Sequence, residues 1–125
     1  MADRSDVTLR LDEASRELLS RIKDAVLIGV IRMHSGSIQL FEGGATDAAA
    51  GRFPGHRELL RAGVVTLPGF ALGFSMELAA GRIVAFYRNS ILNREFDDFA
   101  IPDDMMLEVL AAVGLPRAVT FRSYP

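Results

Sequence analysis

Apolar positions recur at helical spacing near the start of the chain. Between residues 12 and 25 they fall on one face of a helix, while mainly charged residues fill the other face. Asp12 can accept a hydrogen bond from a free backbone N–H of the first turn, as helix N-caps do. The pattern therefore predicts an amphipathic helix whose apolar face consists of Leu18, Leu19, Ile22 and Val26.

The next segments predict a β-hairpin. Residues 26–33 are nearly all apolar and rich in β-branched side chains, residues 34–37 are typical of a turn, and residues 38–42 alternate between apolar and polar. Apolar side chains on both faces suit a central strand, so we expect 26–33 to be covered on both sides. Gln39, between two apolar residues, places the second strand nearer an edge.

The middle of the chain predicts a loop, a short helix and a second hairpin. Residues 43–55 contain four glycines, four alanines and one proline, which favours a loop. Residues 56–62 predict a helix of about two turns that ends at Gly63. Period-two alternation then predicts a strand over residues 70–78, which pairs with residues 83–88.

The last third of the chain predicts a helix and a closing strand. A polar connection over residues 89–100 leads to a helix that begins at residues 102–104. Gly114 followed by Pro116 ends this helix, because glycine accepts the left-handed conformation that closes a helix. Residues 118–124 have the composition of a strand.

These elements give the order αββαββαβ. We expect one largely antiparallel sheet of about five strands, formed by two hairpins and the C-terminal strand, with the helices on one face: a two-layer α+β sandwich. A length of 125 residues, half of them hydrophobic, predicts a single domain over residues 1–125. The order and size are broadly similar to those of secretion chaperones, roadblock-type dimerisation domains and immunity proteins that block a toxin. No residue motif accompanies this resemblance, and we transfer no functional residue from it.

Composition excludes several classes of function. The net charge is -2 and basic residues never form a run of three, so the electrostatic footprint of nucleic-acid binding is missing. Lys23 is the only lysine beside 13 arginines, which indicates the codon bias of a GC-rich bacterial genome. The chain has no cysteine, which excludes disulfides and thiolate chemistry.

The start of the chain favours a cytoplasmic protein. The first residues are polar, and the longest early apolar run, residues 25–31, lies too far inside the chain for a signal peptide. That run is also far shorter than the roughly 20 residues that a membrane span needs. We therefore expect a cytoplasmic protein that does not bind membranes.

Known catalytic and cofactor-binding motifs are absent from the sequence. It contains no dinucleotide or phosphate loop, no H-E-x-x-H zinc motif, no calcium-binding loop and no nucleophile elbow. We expect no cofactor, no metal and no catalytic residue, although small enzymes can assemble a site from scattered residues, so activity stays open. His34 is interpreted as a solvated turn residue.

One group of residues could bind an anion. His56 stands at the predicted start of helix 56–62, between Arg52 on one side and Arg57 and Glu58 on the other. A helix N-terminus, two guanidinium groups and an imidazole can hold an anionic ligand beside the loop 43–55. The alternative, and the more common case, is a helix start with solvated charges.

Acidic residues are concentrated before and within the last predicted helix. Such density can bind a hard cation or share a proton between two carboxylates, but the spacing fits no calcium loop. Asp103 and Asp104 are explained as N-cap and first-turn residues of the helix, so we interpret Glu95, Asp97 and Asp98 as a surface patch. The six acids are Glu95, Asp97, Asp98, Asp103, Asp104 and Glu108.

Apolar residues interrupt the polar connection 89–100. Ile91 and Leu92 either anchor this segment to the core, which is the commoner role, or remain exposed beside Phe96 and Phe99. If exposed, they form an apolar patch with the composition of a protein-binding surface. The rim of that patch consists of Arg94, Asp97 and Asp98.

The leading hypothesis is a non-enzymatic protein that binds another protein through a sheet edge, the 89–99 segment, or both. The competing hypothesis is a small-molecule or anion-binding protein, or a small enzyme, with a pocket beside the loop 43–55. A third is self-association into a homo-oligomer, with strand 70–78 at a dimer interface. The sequence does not identify the partner.

Overall fold

A computed structural model describes residues 8–43, 71–90, 93 and 100–125. These residues form two helices and six strands. In chain order the elements are β1 (Arg10–Leu11), α1 (Glu13–Arg21), β2 (Ala25–Arg32), β3 (Ser37–Glu42), β4 (Ala71–Ala79), β5 (Arg82–Tyr87), α2 (Asp103–Val113) and β6 (Arg117–Tyr124).

The six strands form one mixed sheet in the order β1-β3-β2-β4-β5-β6. The four inner strands pair antiparallel, whereas β1 pairs parallel to β3 and β6 pairs parallel to β5. The predicted α+β class and mostly antiparallel sheet are confirmed, with one strand more than expected. The additional strand, β1, has only two residues, too few for a periodic pattern to reveal it. The predicted loop 43–55 and helix 56–62 lie outside the described residues, apart from Gly43.

Asp12 starts α1 as predicted. Its side chain accepts a hydrogen bond from the backbone N–H of Ser15 at 2.8 Å. The buried Ser15 hydroxyl in turn accepts from the backbone N–H of Leu40 in β3 at 2.8 Å, so α1 covers part of that sheet edge. The helix ends at Arg21, earlier than predicted, because Ile22 is extended and Ala25 already belongs to β2.

The two hairpins are confirmed with bounds close to those predicted. His34 lies exposed in the first turn, as expected for a solvated residue. In the second turn Ala80 and Gly81 both have positive φ, 53° and 75°, the conformation that tight hairpins favour. The backbone N–H of Ala80 donates to Asp24 Oδ1 at 2.9 Å, which fixes this turn against the start of β2.

The main core lies on the sheet face that both helices cover. Leu27, Ile31, Met76 and other residues of this face are buried together with one side of each helix. The rings of Phe74 and Phe86 stack at its centre with centroids 5.0 Å apart. The two described helices, α1 and α2, therefore lie on the same side of the sheet, as predicted for them.

The opposite face of the sheet is also buried at its centre. Ile28 and Val30 of β2 and Ala71 and Ser75 of β4 are each at most 7% exposed. The prediction that the first hairpin strand is covered on both faces is confirmed. Most of the strand predicted over 70–78 is present as β4, which lies between β2 and β5, and residues 71–76 are buried. The hypothesis of a dimer interface along this strand stays a prediction.

The ends of α2 differ in how well they were predicted. Gly114 closes the helix in the left-handed conformation and its N–H donates to Leu110 O at 3.0 Å, as expected. The N-cap, however, is Pro102 rather than Asp103, and it makes no side-chain capping bond. Asp103 instead forms an ion pair with Arg88, and Asp104 accepts a hydrogen bond from Met105 N.

Candidate functional site

Most residues singled out from the sequence lie outside the described part of the chain. This holds for the anion-binding group, which consists of Arg52, His56, Arg57 and Glu58. It also holds for the protein-interaction group and its acidic neighbour, which consist of Ile91, Leu92, Arg94, Glu95, Phe96, Asp97, Asp98 and Phe99. Both groups therefore stay predictions.

Asn93, between β5 and α2, is a polar residue with no exposed surface. Its Oδ1 accepts from Gly73 N at 2.8 Å, and its Nδ2 donates to Gly73 O at 3.0 Å and to Arg88 O at 3.2 Å. The side-chain amide thereby bonds to β4 beyond the end of β5, as a neighbouring strand would. Sequence reasoning missed this role, because a lone asparagine in a polar connection gives no signal.

Strand β6 forms one edge of the sheet, and most of its residues are exposed. Ile83 pairs with Arg117 and Ala85 pairs with Arg122, so four residues of β6 lie opposite the single residue Val84. The surplus chain leaves the ladder as a bulge over residues 118–121, which we call the β6 bulge. Within it the side chain of Val119 is 100% exposed.

The β6 bulge is anchored by an aromatic side chain. Phe121 packs against the main core, while Val119 points into solvent. The guanidinium carbon of Arg117 lies 5.6 Å from the centroid of the Phe121 ring, a cation–π distance. The bulge therefore presents Val119 from a segment that is fixed at both sides.

The C-terminal end of β6 is fixed by three further contacts. Tyr124 O accepts from Arg88 N at 2.9 Å. The Tyr124 ring stacks on Tyr87 with centroids 4.9 Å apart, and Ser123 Oγ accepts from Arg88 Nη2 at 3.1 Å. Tyr124 keeps 39% of its surface exposed, so its outer side stays accessible.

Arg88 connects β6 to α2 and to the rest of the sheet. Its Nη1 forms the ion pair with Asp103 and also donates to Ile101 O at 3.4 Å. Its backbone oxygen accepts from Ile101 N at 3.1 Å and from the Asn93 amide. Its Nε is buried without a hydrogen-bond partner, an unfavourable feature that the other contacts must outweigh.

The β6 surface is positively charged. Arg117 and Arg122 are both exposed, and residues 115–125 contain no acidic side chain. Arg82, at the start of the neighbouring strand, is exposed too. Burial, the carboxylate of Glu77 and the neighbouring Tyr124 raise the pKa of the Tyr87 hydroxyl above its ordinary value.

One edge strand thus carries both exposed apolar side chains and exposed arginines. Within the described ranges the exposed large hydrophobic residues are Leu107, Val119 and Tyr124, two of them on β6. Arginine and tyrosine are enriched at protein interfaces, where they dominate the binding energy. The sequence predicted a strand here, but the pairing of β6 with β5 decides that Val119 protrudes.

The described part of the chain shows neither a membrane-spanning helix nor a cluster of metal ligands. Neither α1 nor α2 has the length and hydropathy needed to span a membrane. No three histidine, aspartate or glutamate side chains within residues 8–43, 71–90, 93 and 100–125 are grouped as metal ligands are.

Comparisons with known proteins give no family for this chain. It matches no protein-family model, no curated protein and no solved structure.

Proposed function

We propose that this protein is a non-enzymatic protein-binding module. Its docking surface is the outer side of β6, and the occupant is a segment of another protein in which an apolar side chain is flanked by carboxylates. The observation that carries the proposal is the complete exposure of Val119 on an edge strand whose two ends are fixed.

The apolar part of the proposal rests on Val119 and Tyr124. A fully exposed valine is a surface that water solvates poorly, and burying it against a partner yields about 1.5–3 kcal/mol. Tyr124 adds an aromatic ring that already stacks on Tyr87 and needs little reorientation to receive a partner side chain. Each of the two residues can serve as an anchor of a small interface.

The charge of the surface selects the chemistry of the occupant. Arg117 precedes Val119 and Arg122 follows it along β6, and residues 115–125 contain no acidic side chain. A partner segment with acidic residues around an apolar one complements this arrangement, whereas a basic segment is repelled. The arginines also favour carboxylates because the guanidinium group can donate two parallel hydrogen bonds to them.

The fixed ends of β6 lower the cost of binding. Phe121 is packed on the core, and Arg88 bonds to both Ser123 and Tyr124, so few degrees of freedom remain to be lost. An interface presented in its bound conformation retains more of its contact energy as affinity. The β6 bulge also interrupts the regular edge, which limits indiscriminate strand pairing.

A display experiment tests the proposal. Random dodecapeptides on phage are selected on the immobilised full chain, and the affinities of the selected peptides are measured by isothermal titration. We expect sequences in which acidic residues flank an apolar one, with a loss of affinity of about tenfold or more for Val119→Asp. Leu107→Asp is the matched control, since Leu107 is half exposed on α2 and lies outside the surface.

Two results would overturn the proposal. One is a selection that enriches no peptide; the other is a set of peptides that bind Val119→Asp as tightly as the unchanged protein. Circular dichroism of both variants checks that the comparison is made between folded proteins. Sedimentation of the unchanged chain alone shows whether a second copy occupies the surface instead, which would also contradict the proposed occupant.

A further inference from the structure

We infer that the occupant of the docking surface adds to the sheet as a short antiparallel strand along residues 122–124, and that it carries an apolar residue two positions before a carboxylate. This inference rests on the proposed function and names the conformation and the sequence pattern of the segment that the same surface binds.

The backbone of Ser123 is directed away from the sheet. β6 is an edge strand, and its residue Tyr124 pairs in parallel with Tyr87 of β5. Arg88 N donates to Tyr124 O at 2.9 Å, so the backbone groups of Tyr124 are turned towards β5. Because the backbone groups of successive residues in a strand point to opposite sides, those of Arg122 also face β5, whereas those of Ser123 face the edge. In the described part of the chain no strand pairs with this edge.

The regular stretch of this edge is short. Before it, residues 118–121 form the β6 bulge and leave the ladder. After it, Pro125 has no backbone N–H to donate. Within the regular pairing of residues 122–124, a partner strand therefore meets a single residue, Ser123, whose N–H and carbonyl oxygen both face outwards.

A stretch of this length favours an antiparallel partner. In an antiparallel pair, one residue of the partner exchanges both hydrogen bonds with the residue opposite it, whereas a parallel strand must place two residues around that position. One partner residue opposite Ser123 is thus sufficient to bond its N–H and its carbonyl oxygen. Such backbone bonds add affinity without depending on the identity of the partner side chain.

The register of β6 determines which of its side chains the added strand meets. Tyr124 shares a face of the sheet with Tyr87, on which its ring stacks, whereas Ser123 shares the other face with Phe86 of the main core. Arg122 lies on the face of Tyr124, because side chains alternate along a strand. Arg122 is exposed and Tyr124 is 39% exposed, so both are accessible from the edge.

The side chains of the partner alternate in the same way. The two residues that flank the one opposite Ser123 lie on the face of Arg122 and Tyr124. In the antiparallel direction the earlier of the two lies opposite Tyr124 and the later lies opposite Arg122. An apolar side chain complements the exposed ring and a carboxylate complements the guanidinium, so the expected pattern is an apolar residue, any residue and an acidic residue. Beyond the acidic residue, the partner continues towards Val119.

Methylation of single peptide amides tests the strand pairing on the unchanged full chain. The probe is the dodecapeptide of highest affinity from the phage selection, synthesised with one backbone amide methylated at a time and measured by isothermal titration. We expect a loss of affinity of about fivefold or more at the residue between the apolar and the acidic one, because its N–H donates to Ser123 O. The matched control is methylation of the two adjacent amides, which point away from β6 and tolerate the change.

A pair of variants tests the same contact from the side of the protein. Ser123→Pro removes the N–H that donates to the partner, whereas Ser123→Ala keeps it, and both remove the hydroxyl that accepts from Arg88 Nη2. We expect Ser123→Pro to bind the probe about fivefold or more weakly than Ser123→Ala does. Circular dichroism checks that both variants fold. The methylated peptides decide the question if Ser123→Pro does not.

The outcomes separate this inference from the proposed function. If Val119→Asp weakens binding but no methylated amide does, the inference fails alone. Selected peptides in which the acidic residue comes two positions before the apolar one would indicate a parallel strand and would contradict the pattern. If no peptide is selected, the proposed function fails and the inference fails with it. Self-association in sedimentation that Ser123→Pro abolishes would show a second copy at this edge, which also overturns the inference.

Discussion

The ring of Phe74 lies directly across Gly29, its cross-strand neighbour in β2, at the centre of the main core. A Cβ atom on Gly29 would overlap this ring, so the stacking of Phe74 on Phe86 requires a residue without a side chain at position 29. The glycine is therefore explained by close packing rather than by a turn, since it lies in the middle of a central strand.

We expect Gly29→Ala to lower the free energy of unfolding by about 1–3 kcal/mol, because the added methyl group forces the Phe74 ring out of its position. Urea denaturation followed by circular dichroism measures the change. The control is Phe74→Leu in the same background: the smaller side chain makes room for the methyl group, so the double variant loses less than the sum of the two single variants. A Gly29→Ala protein as stable as the unchanged chain would contradict this account.

The amide of Asn93 closes the part of β4 that extends beyond β5. Asn93→Ala leaves the N–H and the carbonyl of Gly73 without their side-chain partner inside the fold. We expect a loss of about 1–3 kcal/mol for each buried group that stays unpaired. Thermal or urea unfolding measures it.

The matched control for this change is Asn89→Ala, which removes an exposed asparagine from the same connection and should alter stability by less than about 0.5 kcal/mol. Equal effects of the two substitutions would show that the Asn93 amide does not contribute. Asn93→Asp sharpens the comparison, because it keeps an acceptor for Gly73 N but loses both bonds donated by Nδ2.

Local patterns predicted the elements whose signals are complete within a few residues. Asp12 as a cap, the alternation of β4 and the Gly114 end of α2 each depend on the chemistry of neighbouring residues, and the structure has all three. The same local reasoning was wrong for the N-cap of α2. Asp103 is drawn into an ion pair with Arg88, a partner 15 residues away that no local pattern reveals.

The features of the candidate site depend on distant parts of the chain. Val119 protrudes because, between two paired positions, β5 has the single residue Val84 whereas β6 has the four residues 118–121. The sequence of either strand alone does not show this mismatch. The role of Asn93 depends on β5 ending before β4 does. Sequence reasoning could find a strand at residues 118–124, but only the pairing of the strands shows that it lies at an edge and which of its side chains are exposed.

Arg88 is a positioning residue for the end of β6. Arg88→Lys keeps a positive charge beside Asp103. It cannot also donate to Ser123, because a lysine has one nitrogen where the guanidinium uses two, Nη1 for Asp103 and Nη2 for Ser123. We expect the backbone amides of residues 122–124 to exchange with solvent about fivefold faster, which corresponds to the loss of one hydrogen bond. Hydrogen exchange followed by NMR measures the rates.

Arg122→Lys provides the control for Arg88→Lys, since it makes the same substitution at an exposed site of the same strand. Its amides should exchange as in the unchanged protein. Uniformly faster exchange across the whole sheet in Arg88→Lys would indicate a general loss of stability and would contradict a specific role at β6.

Tyr87 gives the protein a dependence on alkaline pH. Its pKa is raised above the ordinary value of 10.0 by burial first, and then by the charges of Glu77 and Tyr124. Above pH 10 the unfolded chain releases the Tyr87 hydroxyl proton, whereas the folded chain still retains it. The stabilisation from this group is therefore complete below pH 10 and is lost as the pH rises through the folded pKa. Urea denaturation from about pH 8 to about pH 11 should therefore show a steeper loss of stability for the unchanged protein than for Tyr87→Phe, which has no proton to release.

Absorbance of the tyrosinate band in the folded protein provides an independent measurement of the same titration. Parallel pH profiles for the two proteins would mean that the Tyr87 hydroxyl titrates alike in the folded and unfolded states, and the electrostatic coupling to Glu77 across the sheet would then have no effect on stability.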